Sequence, residues 1–98
     1  MLKKSYSKTG NICKVTFKLP AEAGAETAAV CGDFNGWNAE EAPMKQLKDG
    51  SFSAAISLPA GKAYRFRYLL DGERWENDWE ADQYLPNSYG EDDSVVAV

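Results

Sequence analysis

Histidine is missing from the 98 residues altogether, which removes the commonest general base and the commonest metal ligand at one stroke. Cysteine is nearly missing: Cys13 and Cys31 stand too far apart in the chain to begin a zinc site. No P-loop, dinucleotide fingerprint or G-x-S-x-G elbow occurs. Long apolar runs are lacking too, the longest being only a few residues against the roughly 20 that span a bilayer. Residues 1–19 open with lysines but carry no apolar stretch of the signal-peptide kind. The expectation is a cytoplasmic protein, not membrane-embedded, whose two cysteines are reduced, buried small hydrophobes rather than a disulfide. Internal repeats, low-complexity segments and sustained helical periodicity are also absent.

What is present fits one small domain, residues 1–98, burying about two thirds of the surface its unfolded chain exposes. The net charge is only −4, yet it is unevenly spread. Residues 1–19 hold five lysines and no acid, while residues 71–93 hold nine acids against Arg74 alone. Nucleic acid would be repelled by that second region, and an uncharged ligand suits the chain better. A glycosidase needs two carboxylates about 5 to 10 Å apart, held in a cleft with their pKa values driven apart. Most of these acids fall in turns, where a solvated face is the simpler reading. The stretch 76–93 could also wrap a calcium ion through Asp78, Asp82, Asp92 or Asp93, but it lacks the regular ligand spacing of an EF-hand. The expectation is therefore no metal, no cofactor and no catalysis.

Along the chain, Ile12–Leu19 alternates apolar and polar residues with the period of a half-buried strand. Thr27–Cys31 is a second, small-residued strand. Residues 38–50 read as irregular, Pro43 breaking any helix and Met44 and Leu47 acting as local plugs. Asp49-Gly50 signals a hairpin into a strand over Phe52–Leu58. Tyr64–Leu70 is the clearest strand, with Tyr64, Phe66, Tyr68 and Leu70 on one face and Arg65, Arg67 and Leu69 on the other. Asp71-Gly72 turns the chain into a short arm, Glu73–Glu76, and a long polar excursion leads to a closing strand, Ser94–Val98. Short strands with turn signals every 8 to 12 residues predict an all-β fold, an immunoglobulin-like antiparallel β-sandwich.

Everything is arranged around Val30-Cys31-Gly32-Asp33-Phe34-Asn35-Gly36-Trp37-Asn38, a strand entering a turn of residues that tolerate positive φ or bond their own backbone. Trp37 stands at its tip among polar neighbours. Trp75, Trp79, Tyr84 and Tyr89 are likewise rings in polar settings. A sugar presents an apolar C–H face to an aromatic ring and hydroxyl edges to polar groups. The competing reading buries these rings in the core, for roughly 2 to 3 kcal/mol each, or has Tyr84 and Tyr89 cover a sheet edge.

The sequence V-C-G-D-F-N-G-W-N, followed by L-P-A-G-K-A-Y-R-F-R-Y-L-L-D-G, R-W-E-N-D and D-D-S-V-V-A-V, resembles the early-set domains of the isoamylase N-terminal kind, carbohydrate-binding module family 48. The resemblance runs from about residue 27 to residue 98. It implies an early-set immunoglobulin-like sandwich that binds α-1,4-glucan: glycogen, starch or maltooligosaccharide. Two stacking tryptophans of the glycogen-binding members match Trp37 and Trp75. A lysine of that pattern is replaced by Arg67 and an asparagine by Asp93, which changes the donor geometry at one position and the donor capacity at the other. The hydrophobic residue that pushes through the sugar helix in one such member, the glycogen-binding domain of the AMP-activated protein kinase β subunit, falls near Tyr89. The pair Trp75 and Trp79 is similar to small free-standing bacterial relatives, often labelled with glycoside hydrolase family 13 although they lack the catalytic barrel, which takes about 250 residues. Trp37, Trp75, Arg67 and Asn35, with Asp93, Tyr89 and Trp79, form the expected carbohydrate site. A glucan-active enzyme is the expected protein partner, and docking on that enzyme is the alternative use of the same rings.

Overall fold

The computed structural model describes residues 2–98. Its strands are β1 (Leu2–Tyr6), β2 (Ile12–Leu19), β3 (Ala28–Gly32), β4 (Lys45–Gln46), β5 (Phe52–Pro59), β6 (Ala63–Leu70), β7 (Arg74–Glu76), β8 (Gln83–Pro86) and β9 (Asp92–Ala97). One sheet has the order β1-β2-β5-β4 and the other β3-β6-β9-β8, with β7 also paired to β6. All pairings are antiparallel, and the immunoglobulin-like sandwich expected from the sequence is what forms.

Strand β6 is the axis of the second sheet. One of its edges pairs with β3, and the other is shared between β9 near Ala63–Phe66 and β7 near Tyr68–Leu70. Alternation along β2 and β6 sets the core: Val15, Phe17 and Leu19 face Phe66, Tyr68 and Leu70, joined by Val30, Phe52, Leu58 and Val96. Phe17 meets the ring of Phe66 edge to face at 5.0 Å and 70°, a geometry that contributes about 0.5–1.5 kcal/mol beyond area burial.

One buried polar network ties the excursion after β7 to this core. The Tyr68 hydroxyl donates to Asp78 Oδ2 at 2.6 Å, in the interior where Asp78 is 1% exposed. The other carboxylate oxygen accepts the Glu80 N–H, and the Asp78 N–H donates to Ser94 Oγ. Burial, and then the charge of Asp78, push the Tyr68 phenol well above its ordinary range.

Three strands were not anticipated. Both β1 and β8 are edge strands, where lysines or a terminal proline replace a clean alternation, and β4 is two residues long. The closing strand runs Asp92–Ala97 rather than Ser94–Val98. Met44 is buried as expected, but Leu47 is exposed rather than a plug. Cys13 and Cys31 are free and buried. Only Cys13 belongs to the inter-sheet core; Cys31 is paired with Arg67 across the sheet and so lies on the outer face of β3.

Candidate functional site

That outer face carries an open groove of about 720 Å³. Its floor follows from strand period: Arg65 and Arg67 alternate outward on β6, Trp75 sits beside Leu69 on β7, and Asp93 lies on β9. Loops supply the walls. Trp37 arrives from the turn after β3, and Tyr89 from the turn between β8 and β9.

The Trp37 turn is built by its neighbours. A 3₁₀ turn at Asp33–Asn35 redirects the chain, and the Trp37 N–H closes the loop on Gly32 O at 3.0 Å. Trp37 itself has φ 61°, following Gly36 at 63°. A bulky residue held in the left-handed region costs about 1–3 kcal/mol, so the surroundings must hold it there. Asn35 is one of the holders. Its Oδ1 accepts the Gly32 N–H and its Nδ2 donates to Val30 O. Asp33 is another: Oδ1 accepts the Trp37 indole N–H at 3.1 Å, while Oδ2 accepts the Arg65 backbone N–H at 3.1 Å. Gly32 leaves no choice of residue, since a Cβ there would lie 2.5 Å from Arg65 O and 2.8 Å from the Phe34 ring.

The two indoles meet in the groove, their ring centres 6.3 Å apart and their planes inclined at 68°. Trp37 is half-buried rather than free at a loop tip, whereas Trp75 is 46% exposed. The Arg67 guanidinium lies 5.7 Å from the Trp75 ring centre, within reach of a cation–π attraction. Arg67 Nε donates to Asp93 Oδ1 at 3.0 Å and Nη1 to Glu91 Oε1 at 3.2 Å. Asp93 is 5% exposed and also accepts from Arg65 Nη1 at 3.3 Å and Asn87 Nδ2 at 3.1 Å. Asn87 in turn orders the Tyr89 wall, its Oδ1 accepting the N–H groups of Tyr89 and Glu91. Tyr89 projects from that turn 84% exposed.

Five of the residues expected from the sequence thus come together: Trp37, Trp75, Arg67, Asp93 and Tyr89 all line the groove. Two do not. Asn35 turns inward to its own loop, because its amide is consumed by two backbone groups. Trp79 lies outside the groove lining, 49% exposed, with its indole N–H donated to Glu76 Oε2. Asp93 lines the floor as an internal acceptor, its oxygens taken up by three side-chain donors. Sequence reasoning missed Asp33, Arg65, Asn87 and Glu91. The signal for Asp33 was available, an acid four residues before a tryptophan within one turn; the others are united only by the pairing of β6, β8 and β9.

Two guanidinium groups face three carboxylates, those of Asp33, Glu91 and Asp93, all held in hydrogen bonds. The groove therefore offers ring faces and residual polar edges, a combination matched to an uncharged, hydroxyl-rich molecule. Among the described residues no group of three His, Cys, Asp or Glu side chains is gathered as a metal site. Three of the four acids considered for calcium hold other partners, Asp78 bonding Tyr68, Asp82 bonding Lys4 and Asp93 bonding the arginines.

Among curated proteins, none matches the chain significantly. The family model of carbohydrate-binding module 48 (isoamylase N-terminal domain) matches residues 5–85. That span takes in the end of β1 and all of β2, earlier than the resemblance from residue 27, and stops before Tyr89 and Asp93, whose place in the groove rests on the geometry. A match over most of the chain, on a two-sheet sandwich with a ring-lined groove, carries the conclusion: the chain belongs to the carbohydrate-binding module 48 family, the isoamylase N-terminal domains.

Proposed function

We propose that the groove binds α-1,4-glucan without cleaving it, Trp37 and Trp75 stacking on successive glucose units. The observation that supports this most is the 68° inclination of the two indole planes. An α-1,4-linked chain bends at each linkage, so neighbouring sugar faces turn relative to one another, whereas a β-1,4-linked chain is a flat ribbon that wants coplanar platforms. Tyr89 would close the groove over the next unit, and Arg67, steered by Asp93 and Glu91, would donate to hydroxyls. Such a shallow site buries little ligand, and modest affinity follows. In a cytoplasmic setting its use would be to hold a glucan-active enzyme of the glycoside hydrolase family 13 type near polysaccharide.

The test is a tryptophan-fluorescence titration with maltoheptaose and, in parallel, cellohexaose. Maltoheptaose is expected to change the wild-type emission saturably and cellohexaose not, while Trp37→Ala and Trp75→Ala each abolish the response with the fold intact. An equal response to both sugars would remove the α-glucan preference. Silence in the wild type would instead favour the rings as anchors for a protein partner.

A further inference from the structure

Trp37 lines the groove, and one side chain touches both its ring and the sheet. We infer that Asp33 is the positioning residue for Trp37, an inference that rests on the glucan-binding reading. Strand β3 ends its pairing with β6 at Gly32–Phe66. One residue further on, Asp33 Oδ2 accepts the Arg65 N–H at 3.1 Å, so the carboxylate prolongs the ladder where the strand has stopped. Its other oxygen accepts the Trp37 indole N–H at 3.1 Å. The indole is thereby fastened to the strand that carries Arg65 and Arg67, and it reaches Trp75 already oriented. Asn35 holds the backbone of the same turn through Gly32 and Val30, but it does not touch the ring.

Two consequences separate this role from general support of the loop. The Trp37 N–H is committed to Asp33, so Trp37 acts on a ligand through its face alone and gives no hydrogen bond to a hydroxyl. Removal of Asp33 should change affinity through Trp37, with little further affinity lost once the ring lacks its N–H; the loss of the Arg65 N–H contact shows in the melting temperature instead.

The experiment compares the full-length wild type with Asp33→Ala, Trp37→Phe and the double variant. Side-chain indole resonances in ¹⁵N–¹H spectra and maltoheptaose affinity are the readouts, with folding checked by thermal melting. In Asp33→Ala the Trp37 indole resonance should move to the position of a solvent-bonded indole. Affinity should fall about tenfold, as expected for one charge-assisted hydrogen bond. In the Trp37→Phe background Asp33→Ala should change affinity by less than about twofold. An unmoved indole resonance, or an equal loss of affinity in both backgrounds, overturns the inference. If Asp33→Ala does not fold, Asp33→Asn takes its place, keeping the side-chain shape but leaving one acceptor oxygen for two donors; its indole resonance should move from the wild-type position toward that of a solvent-bonded indole, and its affinity should lie between those of wild type and Trp37→Phe. If maltoheptaose fails to bind the wild type, the glucan reading falls, and the indole resonance alone decides the role of Asp33.

Discussion

Replacing Asp93 with asparagine is the sharpest probe of how the groove floor is held. In the folded protein Oδ1 takes donors from Arg67 Nε and Asn87 Nδ2, and Oδ2 takes Arg65 Nη1. An amide can keep a carbonyl toward the first pair, but its NH₂ then faces Arg65 Nη1, donor against donor. The countercharge under Arg67, whose side chain is 13% exposed, is lost as well. Stranding one partner of a buried pair costs about 3–5 kcal/mol. Here Arg67 keeps Glu91 and Arg65 keeps Pro86 O, so roughly 2–3 kcal/mol is expected, nearer the range for a lost charge-assisted bond. At about 4–8 °C per kcal/mol for a domain of this size, the melting temperature should fall by about 10–20 °C. Arg67→Lys alone should cost about 1–2 kcal/mol, since lysine has no Nε donor and no planar fork to lie over Trp75. The double variant recreates the lysine and asparagine that the family resemblance puts at these positions, and should recover part of the loss with a coupling energy of about 1–3 kcal/mol. Urea unfolding of the four proteins measures it. Additivity within about 0.5 kcal/mol would refute the idea that the two departures compensate one another.

Other perturbations address separate parts of the structure. Gly32→Ala forces a Cβ to within 2.5 Å of Arg65 O; it should cost about 3 kcal/mol or more and spoil the Trp37 turn, read as a lowered urea midpoint. Tyr68→Phe leaves the buried Asp78 short of a donor at 2.6 Å and should cost about 1–3 kcal/mol by the same measurement. The Asp71 carboxyl is held below its ordinary 3.8 by the N–H groups of Thr27 and Glu26, and Asp49 by the hydroxyl and N–H of Ser51. Their contribution is complete above the unfolded value of 3.8 and is lost as pH falls through the lower folded values, so the urea midpoint should be flat from pH 7 to 5 and decline below about 4. Thiol titration of the native protein should find neither Cys13 nor Cys31, both buried, and both should appear after unfolding; burial pushes the Cys31 thiol up. Prompt reaction of a native thiol would contradict the packing.

The legible parts of the fold were those in which burial imposes a period. In β2 and β6 every second side chain enters the core, and the alternation of Val15, Phe17 and Leu19 or of Phe66, Tyr68 and Leu70 survives translation into sequence. In β1, one face of Lys3, Lys4 and Ser5 is as polar as the other, and what places the strand is its pairing with β2 together with Lys4 reaching Asp82. The groove divides the same way. Trp37 and Trp75 were visible as rings among polar residues, and the D-G turn fixed where Trp75 pairs with Leu69. The clamp beneath them was not, because Arg65, Arg67, Asn87 and Asp93 meet only once β9 lies between β6 and β8. Asn35 misled because a polar residue in a turn can serve a ligand or its own backbone. The carbonyl of Val30 and the N–H of Gly32 lie close enough to take both ends of its amide.

The most direct test of glucan binding at this groove is a ¹⁵N–¹H titration of the protein with maltoheptaose. The indole N–H resonances of Trp37 and Trp75 and the amides of residues 87–91 should shift together along one saturation curve, with Trp79 and the outer face of the β1-β2-β5-β4 sheet undisturbed. Shifts confined to Trp79 or to that other sheet, or none at any concentration reached, would contradict the account.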